Sequence, residues 1–136
     1  MTDTGRPTLK GIVPLLQVSS ITDTINYYRE VLEFEIEWQW PDASRPRWAV
    51  LRRDDVRFMF TIDLGTSTGP FIAEKGNGMV LYVICDDIAT LYENVQARGA
   101  ILVQDLIEFG GRKQFSVADP NGYAVAFSEP LVQRRA

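Results

Sequence analysis

Histidine does not occur in this 136-residue sequence. Without imidazole there is no Ser-His or Cys-His nucleophile pair, no proton shuttle poised near neutral pH and no His-ligated zinc. Any catalysis falls to carboxylates, Lys, Tyr or Arg. Cysteine occurs once, at Cys85, which rules out an intrachain disulfide and fits a reducing, cytoplasmic location. No apolar run approaches the length of a membrane span. Met1 to Lys10 is polar and lacks the apolar stretch of a secretory leader. Positive charge is in the minority: 14 Lys and Arg face 18 Asp and Glu, for a net charge of −4. That balance argues against nucleic acid as a partner, because phosphate binding requires a basic face. It favours a cationic ligand over an anionic one, although an acidic surface of this size also serves solubility alone.

Hydrophobic residues make up 46% of the chain and charged residues 24%, enough for a single domain with its own core. The chain reads as two matching halves. In the first, a strand over residues 11–18 leads into a helix opened by Ser20 and Asp23 as a capping box. Ile21, Ile25, Tyr28 and Leu32 follow at helical spacing. Strands come next at 34–40, 47–53 and 56–62, with Arg53-Asp54-Asp55 as a tight turn. In the second half a strand over 79–85 precedes a helix capped by Asp87, carrying Ile88, Leu91, Tyr92 and Val95 and stopped at Gly99. Strands follow at 100–106, 112–118 and 123–128, the last two joined by Asp119-Pro120-Asn121-Gly122.

One offset of 67 positions superimposes Ile21 on Ile88, Asp54-Asp55 on Asn121-Gly122, and 56–60 on 123–127. A shared register across a helix, a turn and a strand points to duplication, despite low identity between the halves. Residues 63–78 are rich in Gly, Ser and Thr and read as a linker, with Phe71 and Ile72 packed either over a pocket mouth or under the linker. The fold class is therefore α+β: two tandem βαβββ modules, module 1 over about 9–62 and module 2 over 79–130. The basic tail at 133–136 reads as a frayed end.

These paired modules, with Tyr27-Tyr28-Arg29-Glu30-Val31-Leu32 after Val18-Ser19-Ser20, resemble the vicinal oxygen chelate superfamily of glyoxalases, bleomycin resistance proteins and dioxygenases. The stretch from Gly111 to Gly122, GRKQFSVADPNG, looks like its second-module signature. Within the superfamily the chain is most similar to bleomycin resistance proteins, an impression that the strand-turn-strand from Val50 to Phe58 strengthens. The resemblance covers nearly the whole chain. It implies a curved mixed sheet forming a cup, helices on the convex side, and a homodimer with cups completed across the interface. Metal-dependent members place one ligand on the first and one on the last strand of each module. Carried over by position, those places fall on Val13, Met59, Val80 and Ala126. Val and Ala have no donor atom, and a thioether suits soft metals. Catalytic zinc needs about three N, O or S⁻ ligands. The resemblance thus implies no metal and no cofactor here, and the metal-dependent glyoxalase reading is rejected.

Strand alternation sends Leu15, Gln17, Trp48, Val50, Arg52, Arg57, Met59 and Thr61 into the cup, with Val80, Tyr82, Ile84, Gln114, Ser116, Ala124 and Ser128 from the second module. Glu108 precedes Phe109-Gly110-Gly111, read as a loop at the cup mouth. The candidate ligand-binding residues are Gln17, Trp48, Arg52, Arg57, Met59, Tyr82, Glu108, Gln114 and Ser116, a mostly apolar wall with a few polar groups. No catalytic residue is assigned. Trp38 and Trp40 share parity with Phe34 and Ile36, which favours the core or a dimer interface. Arg52 and Arg57 either clamp a ligand carboxylate or neutralise Glu35 and Glu37. Cys85 faces the core and is inert. The expected function is metal-independent binding of a planar small molecule, with antibiotic sequestration as its concrete form. Two alternatives stand beside it. One is a metal-free enzyme acting on a small acid through Arg52 or Arg57 with Tyr82 or Glu108. The other is a regulatory module whose cup is filled by its own side chains.

Overall fold

The computed structural model describes residues 5–62 and 79–131. The linker, with Phe71 and Ile72, and the basic tail lie outside the described residues. Module 1 comprises β1 (Leu15–Val18), α1 (Ile21–Glu30), β2 (Glu35–Trp40), β3 (Trp48–Arg53) and β4 (Val56–Ile62). Module 2 comprises β5 (Val80–Ile84), α2 (Ile88–Ala97), β6 (Ile101–Phe109), β7 (Arg112–Ala118) and β8 (Ala124–Pro130). Each module forms a four-stranded mixed sheet, β1-β4-β3-β2 and β5-β8-β7-β6. The first strand of each pairs in parallel with the last, and the other pairings are antiparallel.

Local chemistry sets the boundaries. β1 begins at Leu15 rather than Gly11, because Pro14 has no N–H to continue a ladder. Its carbonyl still accepts from Met59 N at 2.9 Å. β6 runs on to Phe109, past the expected end at Leu106, because Gly110 and Gly111 take φ of 60° and 80°. Two successive positive φ values make the tight turn that matches strand twist. At α1, Ser20 sits at the N-cap with extended backbone, and its side chain accepts from Asp23 N at 3.1 Å. Asp87 occupies the matching place before α2 but makes no side-chain capping bond, contrary to expectation, and its φ is 45°. That left-handed backbone is paired with a different cap: Glu129 Oε1, from β8, accepts Ile88 N–H at 2.9 Å.

Leu16, Val18, Leu51, Phe58 and Phe60 turn one face of the first sheet onto Ile21, Ile25 and Tyr28 of α1. Leu81, Phe115, Val117, Val125 and Phe127 do the same beneath Ile88, Leu91 and Val95 of α2, and all of them belong to one hydrophobic core. Among the described residues, the opposite face of each sheet carries no helix.

The modules join through the β7–β8 turn. Asp119 is 5% exposed; its Oδ1 accepts from the backbone N–H of Asn121 and Tyr123 at 2.8 and 2.9 Å. Its Oδ2 accepts from Tyr28 Oη at 2.9 Å. Asn121 Nδ2 donates to Thr24 Oγ1 at 3.0 Å, and Tyr123 Oη donates to the Gln17 carbonyl at 2.9 Å. The Asp-Pro-Asn-Gly motif is therefore one joint between the halves, and Arg98 Nη1, donating to the Glu30 carbonyl at 3.0 Å, is another. Across the repeat, the hairpin Arg53–Val56 faces Val83–Asp87 and the start of α2 over a cavity of about 410 Å³.

Candidate ligand-binding face

The helix-free face of module 1 is set by strand register. Leu15, Met59 and Val50 stand in one row, and Gln17, Thr61 and Trp48 in the next. The two-residue turn Asp54-Asp55 gives the register the sequence implied. β2 departs from simple alternation. Its pairing shifts between Ile36 and Trp38, leaving Glu37 as an extra residue. Such a bulge changes which face the following side chains take. Trp38 therefore lies opposite Val50 and Trp40 opposite Trp48. Of the two placements that parity favoured, core or dimer interface, the core is corrected: Trp38 and Trp40 are 54% and 52% exposed. The Trp38 and Trp48 rings meet edge to face at 4.8 Å. All three tryptophans share one open face with Val50, Met59 and Leu15.

The charged end of this face lies one row from Val50 and Met59. Arg52 stands opposite both Glu35 and Arg57. Arg57 Nε and Nη2 donate to Glu37 Oε1 and Oε2 at 2.7 and 3.0 Å, a two-pronged ion pair. The Arg57 hydrogen bond holds the Glu37 carboxyl below its usual range, and the same bond raises the guanidinium. Of the two roles open to Arg57, neutralising Glu37 is the one the geometry displays.

The helix-free face of module 2 is chemically different. Tyr82 Oη donates to Gln114 Oε1, and Gln114 Nε2 donates to Gln104 Oε1 at 3.0 Å. Ser116 pairs with Gln104 and Ala126. Arg112 Nη1 donates to Ser128 Oγ at 3.0 Å. Around this amide chain stand the exposed Val80, Ile84, Ile107 and Phe109. Gln104 was not among the candidates from sequence. β6 has two register shifts, between Leu102 and Gln104 and between Gln104 and Ile107, and alternation cannot be carried through them. Glu108 falls elsewhere: it lies within β6 opposite Lys113, so it takes the face away from Gln114. It is not part of a mouth loop with the other candidates. Cys85 is half-buried, and burial foremost pushes its thiol up to about 11, which disfavours the thiolate near neutral pH.

Gln17, Trp48, Arg52, Arg57 and Met59 thus share one face, and Tyr82, Gln114 and Ser116 share the other. Four cavities formed by described residues are lined by neither Trp48, Met59, Tyr82 nor Ala126. Among the described residues the two faces are open surfaces rather than walls of a closed cup.

The four places where metal-dependent members carry ligands do not fit a divalent cation here. Val13 lies outside β1 and Ala126 is 2% exposed under its neighbours; neither these nor Val80 offers a donor, and Met59 offers only a thioether. Among the described residues no group of three or more His, Cys, Asp and Glu side chains is placed to hold a metal ion. Nor is any described helix long and apolar enough to cross a membrane.

Known proteins bear on the same architecture. Residues 11–127 match the family model described as the Glyoxalase/Bleomycin resistance protein/Dioxygenase superfamily. TioX from Micromonospora sp. ML1 is similar over 93% of this chain and 100% of its own, with 21% identity and a TM-score of 0.69. TnmS3, an antibiotic binding protein from Streptomyces sp. CB03234, is similar over 91% and 99%, with 18% identity and a TM-score of 0.66. A glyoxalase/bleomycin resistance protein/dioxygenase from Nocardioides is similar over 98% and 89%, with 18% identity and a TM-score of 0.69. No curated protein matches the sequence. With its duplicated βαβββ fold and a family match spanning both modules, the chain belongs to the glyoxalase/bleomycin resistance protein/dioxygenase superfamily.

Proposed function

We propose that this protein binds a planar small molecule reversibly and without a metal, and that sequestration of an antibiotic is its concrete role. The observation that carries this reading is the clustering of Trp38, Trp40 and Trp48 on one open face beside Val50 and Met59. Tryptophan offers large, stiff contact area that stacks on flat rings at little entropic cost. The hydrocarbon and thioether groups at Val13, Met59, Val80 and Ala126 support metal independence. An open sheet face encloses nothing by itself, so the reading includes a homodimer in which a second copy covers the exposed Trp40, Tyr82 and Ile84. The single cysteine supports a reducing, cytoplasmic setting. Binding without catalysis is favoured over the acid–base alternative: Arg57 is held by Glu37, Tyr82 is on a different sheet from Arg52 and donates to Gln114, and Glu108 takes the face away from Gln114.

Calorimetry and tryptophan emission with a panel of planar antibiotics, including a bleomycin-class compound, test the reading. At least one compound is expected to bind saturably, and Trp48→Ala to weaken it about tenfold, equivalent to about 1.4 kcal/mol. A null titration across the panel at high protein concentration removes the sequestration reading. Stoichiometric Zn, Fe, Mn or Ni in the purified protein removes metal independence.

A further inference from the structure

Resting on that reading of the face, we infer that Glu37 is a built-in counter-ion that withholds Arg57 from the ligand. The site then takes uncharged planar aromatics in preference to those bearing a carboxylate or sulfonate. Three observations carry this. First, Arg57 lies two residues from Met59 on the same side of β4, about 7 Å along the strand from the apolar centre of the face, within reach of a substituent on a stacked ring. Second, one edge of its guanidinium is fully engaged, with Nε and Nη2 on the two oxygens of one carboxylate at 2.7 and 3.0 Å. That fork is the geometry a ligand carboxylate or sulfonate would need. Third, Glu37 is the residue the β2 bulge inserts, with no cross-strand partner of its own. The irregularity that places Trp38 and Trp40 on the face also supplies the counter-ion beside them. The pair is part-exposed, with 42% and 37% of the two side chains accessible. Ion pairs this exposed add little to stability, so its consequence lies at the binding face rather than in the fold.

An anionic ligand must displace Glu37 to gain the Nε–Nη2 fork of Arg57; an uncharged one leaves the pair intact. The test uses two probes with one ring system, 1-pyrenemethanol and 1-pyrenesulfonate. Each is titrated by calorimetry and by energy transfer from tryptophan at low ionic strength. The unmodified protein is expected to bind the alcohol more tightly. Glu37→Gln should raise affinity for the sulfonate about tenfold or more, the range of charge-assisted hydrogen bonds, and leave the alcohol within about threefold. The double variant Glu37→Gln with Arg57→Gln should lose that gain, while circular dichroism confirms the fold of both. An unchanged sulfonate-to-alcohol ratio in Glu37→Gln overturns the inference while leaving the binding reading in place. So does a gain that survives the loss of Arg57. Binding of neither probe to any of the proteins removes the aromatic-face reading itself, and this inference with it.

Discussion

Tyr28 shows how one side chain can serve core, joint and pH response together. Its ring is fully buried and meets Phe34, Phe58 and Phe60 at centroid distances of 5.7, 5.7 and 4.9 Å. Its hydroxyl donates to Asp119 across the module joint. Burial first, then the Asp119 charge, raises its pKa well above 10, and the same two causes push Tyr27 up to about 12. Both phenols are neutral when protonated, and the native state holds the proton more tightly than the unfolded chain. Their contribution is therefore complete below the unfolded value of about 10 and is lost as pH rises through the native values. Urea unfolding from about pH 8 to about pH 12 should show stability falling over the upper half of that range. Tyr28→Phe should cost about 1–3 kcal/mol near neutrality, by leaving Asp119 one donor short, and should make the alkaline decline shallower. An alkaline decline equally steep in Tyr28→Phe would remove the role given to this phenol.

At the scale of single elements, the two helix starts separate a side-chain cap from a borrowed one. Ser20→Ala removes the bond to Asp23 N and should cost about 1 kcal/mol. Asp87 makes no capping bond and sits at positive φ, where glycine meets no steric penalty. Asp87→Gly should therefore change stability by less than about 0.5 kcal/mol in thermal or urea unfolding. A cost as large as that of Ser20→Ala would mean that Asp87 does cap α2. The same contrast marks how far the sequence could be read. The Ser20 cap, the strands Val56–Ile62 and Arg112–Ala118 and the Asp54-Asp55 register were legible because each rests on neighbouring residues alone. The faces of Trp38 and Trp40 were not, because the bulge at Glu37 contains no glycine and breaks alternation through a pairing with β3. Gln104 was hidden by two such shifts, and the α2 cap by its origin in Glu129, 41 residues away. On the strands, continuity of alternation failed only at β2 and β6, the two whose pairing shifts register.

For the whole molecule, the open faces bear on assembly. A stable protein interface typically buries about 1,600 Å² in total, and the two exposed sheet faces, with Trp38, Trp40, Val80, Ile84 and Phe109 among the described residues, offer apolar surface suited to it. Sedimentation velocity should give a particle of twice the 15.4 kDa chain mass. Ile84→Asp, which sets a charge on the exposed β5 face, should return it to a single chain and abolish ligand binding. A monomeric parent protein would remove the dimer from the functional reading. The two faces of one chain are unlike, one rich in indole and the other a relay of amides and a phenol. A twofold axis copies whatever it pairs. Indole face against the partner's amide face yields two equivalent chambers, saturating at one guest per subunit with a single binding constant. Like against like yields two dissimilar chambers and a biphasic isotherm, so counting guests alone would reveal how the subunits meet.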